Sequence, residues 1–389
     1  MKEAWRMWAL VAALGLVAGG AAGYYQQWKQ NNGKAPQVNE EQALQLSTDS
    51  FSLRLFQHAL EAEAGGNVLV APHILTETLL ALQELAGGKT LEELQSLQLS
   101  PEHHLRSSEP QSGILLGMDF SLPRGPRADY VMALPFSDNV PMALGLFNGT
   151  LAPVTGRAEA QLADSTMVTE RTKLLAGYAA SFRAEWQVPF YYADTRTADF
   201  DNASGGMPHF RQMRSRGAYR IATAEDNSWK AVALPMQARN SGKVPLVLIA
   251  ILPAGSARDF AGKLTPDQLT AIRRALAEAS PEDTLVEFPR LELQLQPNNK
   301  RDSLRRLGLK ALFDTETADF SQLTSEKIHL GALVEALNIS LVESAQDSQP
   351  NENLDAAARY ISFNRPFIWL LADLHTGTPI EFIGLVEEM

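Results

Sequence analysis

Phe363-Asn364-Arg365-Pro366-Phe367 leads an apolar run to Leu371, and His375-Thr376-Gly377-Thr378 then precedes Phe382-Ile383-Gly384-Leu385-Val386. Two short apolar runs around a Gly-containing turn predict a terminal pair of β-strands. Upstream, Leu333–Val342 predicts a strand, and Val244–Leu252 is a continuous apolar run closed by Pro253. Thr284–Leu295 alternates, with Leu285, Glu287, Pro289, Leu291 and Leu293 on one side, and predicts one strand. Helical patterns fall between these runs at 265–278 and 298–308. The first half reads differently. Apolar residues recur at helical spacing from Leu44 to Leu60 and stop at Gly65-Gly66. Val68–Val70 predicts a strand, Leu75–Ala86 a second helix, and Thr90 with Glu93 a capping box opening a third. Ile114–Leu122 predicts a strand. Gly149 and Pro153 weaken any helix after Asn148. Helices first and strands later indicate the α+β class.

The chain has 389 residues and a net charge of −11, which argues against nucleic-acid binding because no basic stripe is available. It has no cysteine, which excludes disulfides, thiolate metal sites and thiol nucleophiles. Lys2 and Arg6 precede an uncharged run from Met7 to Gly23, with Trp8, Tyr24, Tyr25 and Trp28 at its ends. Residues 1–25 therefore read either as a retained signal anchor or as a cleaved signal peptide with Ala21-Ala22-Gly23 at its site. Either reading puts the body outside the cytoplasm, tethered to a membrane or secreted. Residues 26–43 are a polar linker, and residues 44–389 form the folded body.

The C-terminal stretch resembles the serpin signature. Leu307-Gly308-Leu309, Leu312-Phe313-Asp314 and Ala318-Asp319-Phe320-Ser321 resemble a further serpin segment, as does Val286–Leu293. Phe182, Trp186, Pro189, Phe190, Thr195, Thr197 and Phe200 match another block, continued by Met207-Pro208 and Val232–Met236. Asn67–Pro72 stands where the family has Asn-x-x-x-Ser-Pro. The resemblance implies a serpin fold: three β-sheets with a large sheet A, about nine helices and an exposed reactive-centre loop. It implies no enzyme and no cofactor. In the family a peptidase cuts the loop, which then inserts as a new strand in sheet A.

By this resemblance Glu343 is the hinge glutamate, and Ser344-Ala345-Gln346-Asp347-Ser348-Gln349-Pro350 begins the loop. The family has small apolar residues there, because alternate positions must enter the core. Here the inward set would be Gln346, Ser348, Pro350 and Glu352, and Pro350 cannot donate to a ladder. The family's polar cluster beneath the opening sheet maps to Ala71, Ile74, Tyr178 and Glu335, none of which keeps the family residue. The resemblance therefore implies a non-inhibitory binding or scaffolding protein. The alternative is a suicide inhibitor of a trypsin-like serine peptidase, with Arg359 as bait and Tyr360 after the cut bond.

Other patterns carry less. Gly87-Gly88-Lys89-Thr90 ends like a phosphate loop, but position 83 is Gln83 where a glycine is required, so it reads as a helix stop. His103-His104 lacks a spaced partner for a metal, and His209 and His329 read as structural. Asn148, Asn202 and Asn338 each open a glycosylation triplet.

Overall fold

The computed structural model describes residues 40–99, 111–121, 130–157, 160–237, 246–295, 297–344, 349–374 and 379–389. The N-terminal run read as anchor or signal peptide, and most of the linker, lie outside these residues. Leu44–Met389 forms one compact unit.

The chain opens with α1 (Glu40–Ala62), β1 (Val68–Val70), α2 (Pro72–Leu85) and α3 (Gly88–Gln95). Next come β2 (Gln111–Asp119), β3 (Val131–Leu134), α4 (Val140–Leu151) and a 3-10 turn, Ala152–Thr155. The strands β4 (Leu174–Arg183), β5 (Arg196–Asp199), β6 (His209–Thr223), β7 (Trp229–Pro235) and β8 (Val247–Pro253) follow. After α5 (Ala257–Lys263) and α6 (Pro266–Glu278) the chain makes β9 (Glu282–Pro289), β10 (Leu291–Gln294) and β11 (Asn298–Asn299). It ends with α7 (Arg301–Arg306), β12 (Leu330–Leu341), β13 (Arg359–Ser362), β14 (Phe367–Ala372) and β15 (Phe382–Val386).

Among the described residues the strands form two connected sheets, not three. One runs β1-β15-β14-β8-β7-β6-β9-β13, with β5 on β6; the other runs β10-β12-β4-β2-β3, with β11 on β12. The two smaller expected sheets are joined by β6. Its Gln212–Tyr219 stretch pairs with β9, and Arg220–Thr223 pairs with β7. The described residues hold seven α-helices rather than about nine.

The six-stranded sheet is covered on both faces, so its central strands are apolar on both sides. Leu174, Ala176, Tyr178, Ala180 and Phe182 of β4 enter the main core with α2, whereas Leu175 and Ala179 face a second core under α4. Phe147 of α4 sits so close to Gly177 that a Cβ there would lie 2.5 Å from its ring. That contact explains the glycine within a buried strand.

Several local readings change. Thr284–Leu295 is two strands in different sheets, split at Arg290. Thr90 and Glu93 do not cap α3, whose N-cap is Gly87. Thr90 Oγ1 instead accepts from the Asp319 amide at 2.9 Å, and Glu93 accepts from the Ala311 amide at 2.7 Å. Gly87 and Gly88 press on Asp319 and Ser321, leaving no room for a side chain. A helix does form before and through Asn148, because the Asn139 side chain accepts from the Met142 amide and Pro141 suits the first turn. α2 begins at Pro72, three residues earlier than its periodicity indicated.

One buried charge cluster ties α2 to the C-terminal strands. His73 Nε2 lies 3.3 Å from Glu77, and its amide donates to Ile380 O at 3.2 Å, beside buried Glu381. Burial pushes the Glu381 carboxyl up to about 7, against the pull of His73. Burial works to lower the His73 pKa, but Glu381 and Glu77 outweigh it and raise it. Both groups hold protons in the folded state that the unfolded chain has lost. Their stabilisation is full below pH 4.5 for Glu381 and below 6.5 for His73, and is lost as pH rises through the folded values. Urea unfolding from pH 4.5 to 8 is expected to show Glu381→Gln gaining on the wild type as pH rises, by on the order of 3 kcal/mol. A constant difference across that range would contradict this account.

Candidate functional site: the loop after β12 and the seam beneath it

β12 runs parallel to β4 from Leu330 to Ser340, with Glu335 opposite Tyr178. Both side chains point into the main core. The Tyr178 hydroxyl donates to Glu335 Oε2, and Lys300 Nζ donates to Oε1 at 2.8 Å. Tyr178 is fully buried and Glu335 and Lys300 nearly so. Burial, and then the Glu335 charge, hold the Tyr178 hydroxyl well above its ordinary pKa, so it stays a donor. The family residues of the sheet-opening cluster are absent, and Ala71 and Ile74 are plain core, but Tyr178 and Glu335 form a polar cluster of their own with Lys300. Parallel pairing sets Tyr178 against Glu335, and the short β11 brings Asn298, two residues before Lys300, opposite Glu335.

The loop leaves β12 under restraint. Trp186 Nε1 donates to Val342 O at 2.7 Å, and the Ser344 amide donates to Phe190 O at 2.8 Å. Glu343 is buried and accepts from Thr195 Oγ1 at 2.8 Å and from Arg290 Nη1 at 3.3 Å. Ala345 and Gln346 lie outside the described residues. Pro350 is exposed, as are Asn351, Glu352 and Asn353.

The rest of the loop is tied to the body. The Asn351 amide donates to Asp194 Oδ1 at 2.8 Å, and a 3-10 turn at Leu354–Ala356 buries Leu354. Arg216 donates to Asn353 O and Arg214 to Asp355. Arg359 and Tyr360 open β13, which pairs in parallel with β9. Both are more than half exposed, and Arg359 is ion-paired to Glu282. The Tyr360 hydroxyl donates to buried Glu287 at 2.6 Å, a carboxylate that also accepts from Arg196 at 2.7 Å and Arg214 at 3.0 Å.

Sequence reasoning had no role for Asp194, Arg214, Arg216 or Lys300. Their partners are distant in the chain, and only Trp186, Phe190 and Thr195 carried a signal, as part of the resemblance. His209 Nδ1 meets Asp199 at 2.5 Å. His103-His104 lies outside the described residues, among which no group of side chains is arranged to hold a metal. Asn148 and Asn338 both spend their amides on neighbouring backbone.

Comparison with known proteins agrees with the fold. The family model described as Serpin (serine protease inhibitor) matches residues 129–389. Serpin B5 of Rattus norvegicus is 22% identical over 88% of this chain and 98% of its own. Plasminogen activator inhibitor 1 of Bos taurus is 23% identical over 92% and 95%. The crystal structure of maspin superposes with a TM-score of 0.75 and 21% identity, covering 90% of this chain and 99% of that one. Uncleaved ovalbumin superposes at 0.78 with 15% identity, covering 89% and 100%.

The seam cluster makes a measurable demand. Lys300→Met removes the cation from a buried carboxylate and is expected to cost about 3–5 kcal/mol in urea unfolding. Adding Glu335→Leu to that variant is expected to restore part of the loss, because the stranded charge is gone and only the Tyr178 hydroxyl lacks its acceptor. Additive losses in the double variant would refute the pairing.

Proposed function

Because this chain belongs to the serpin family, we propose that it is a non-inhibitory binding or scaffolding protein that keeps the family fold without inserting its loop. The family is one of protease inhibitors rather than catalysts. The observation that carries the reading is the Tyr178–Glu335–Lys300 cluster across the β4–β12 seam. A strand added between β4 and β12 moves their side chains apart by about 4.8 Å. Tyr178 then loses its acceptor inside the core, at a cost of about 1–3 kcal/mol or more for a charged partner.

Loop composition supports the same reading. An inserted strand would carry Gln346, Ser348, Pro350 and Glu352 inward, and an unpaired buried Glu352 alone opposes insertion by several kcal/mol. Arg359 gives the inhibitor alternative little help. A peptidase reading Arg359 must strip β13 from β9 and break the Glu282 pair first. The alternative rests on the family and on relatives such as plasminogen activator inhibitor 1, which is named as an inhibitor.

The reading places the body outside the cytoplasm, joined through residues 26–43 to residues 1–25 as anchor or cleaved signal. No helix among the described residues is long and apolar enough to cross a membrane, so a tether depends on Met7–Gly23. The partner in this reading is another protein rather than a nucleic acid.

Purified full-length chain in detergent should be treated with substoichiometric trypsin, run on a denaturing gel and melted beside intact protein. The expected outcome is a nicked chain with no covalent complex and an unchanged melting temperature. A covalent band near the summed mass, with cleavage after Arg359, would overturn the reading and make Arg359 bait.

A further inference from the structure

The outer face of the six-stranded sheet carries a cavity of about 650 Å³ beyond the end of α4. Its floor is ordered by strand register. Gln294 lies opposite Asn338, Asn338 opposite Ser181, and Ser181 opposite Gln111, so four uncharged polar side chains form one row across four strands. A second row beside it holds Glu292, Ser340 and Arg183. Strands stand about 4.8 Å apart, so the first row spans about 14 Å.

The row is oriented before any ligand arrives. Asn338 Nδ2 donates to Thr155 O at 2.8 Å, and Ser181 Oγ donates to Val154 O at 2.6 Å. These bonds use one amide proton of Asn338 and the hydroxyl proton of Ser181, leaving the Asn338 Oδ1 and the Ser181 Oγ as acceptors. Gln111 and Gln294 stand exposed at the two ends of the row. An amide offers donors and an acceptor together, which suits a hydroxyl that does the same. The apolar members, Phe182, Met236 and Ile339, are all buried beneath the surface. The chain's net charge of −11 disfavours a polyanion.

We infer that this row is a binding site for a neutral oligosaccharide, laid across the strands with about one sugar ring per strand spacing. The site is separate from the loop and does not depend on how the loop is read. It spans the β4–β12 seam, since Asn338 and Ser181 lie on its two sides. A bound glycan bridges that seam and stabilises the closed sheet by mass action.

Full-length protein should be titrated with maltotetraose, cellotetraose and tetra-N-acetylchitotetraose, followed by tryptophan fluorescence and thermal melting. Trp186 reports because its carbonyl accepts from Gln237, which borders the cavity, at 3.2 Å. Saturable binding of at least one neutral tetrasaccharide is expected, with a raised melting temperature. Gln111→Ala and Gln294→Ala are each expected to weaken it about tenfold without changing the melting point of the free protein. The site is refuted by an absence of binding to all three at roughly 10 mM. Binding that survives the double variant also refutes it, as does binding confined to a sulfated tetrasaccharide.

Discussion

Most of this molecule is arranged around the parallel pairing of β4 with β12. A parallel ladder has to be covered on both faces, and here α2 and the main core take one face while α4 takes the other. Every second residue of β4 is therefore committed to one core or the other, and Gly177 is the point of closest approach to α4. Within that dry setting a tyrosine, a glutamate and a lysine are placed together. Such a group is weak evidence for stability, because desolvating the charges offsets much of their attraction. It holds Tyr178 of β4 against Glu335 of β12, and the proposed resistance to an inserted strand rests on that contact.

The loop that follows is restrained from both ends by chemistry unlike that of the seam. Glu343 is held by Thr195 and Arg290 where it leaves β12. Arg214 and Arg216 of β6 hold the segment before β13, and Arg214 also joins the Glu287 pair that Arg196 and Tyr360 complete. In a chain of net charge −11, arginines gathered on β5 and β6 are balanced by carboxylates from β9 and from the loop itself. The partly exposed pairs weaken as salt is added, whereas the seam cluster is shielded from salt.

How much of this could be read from the chain depended on the range of each interaction. The terminal strands, the Val68–Val70 strand, α1 and α6 were legible because their patterns are local and their stops are Gly or Pro. Thr284–Leu295 misled because alternation keeps the same period on either side of Arg290, while the hydrogen-bond partners change from β6 to β12. Thr90 and Glu93 had the spacing of a capping box, yet both are used by residues more than two hundred positions away. Tyr178 and Glu335 were singled out only as departures from a family pattern. Nothing at either position announces that 157 residues separate two halves of one hydrogen bond. The loop's anchors were silent for the same reason.

The pairing of β1 with β15 sets an order on synthesis. Val68 lies opposite Leu385 and Val70 opposite Ile383, and the Asn67 side chain binds the Glu387 and Glu388 amides and the Glu388 carbonyl. One of the first strands to leave the ribosome thus waits for one of the last. Until the final residues emerge, β1 is an uncovered apolar edge, and β14 lacks its outer neighbour. Closure is a contact of very long range, of the kind that folds slowly and leaves a nascent chain open to aggregation. β15 thus acts as a latch on β1, and a chain lacking β15 leaves β1 without a partner strand.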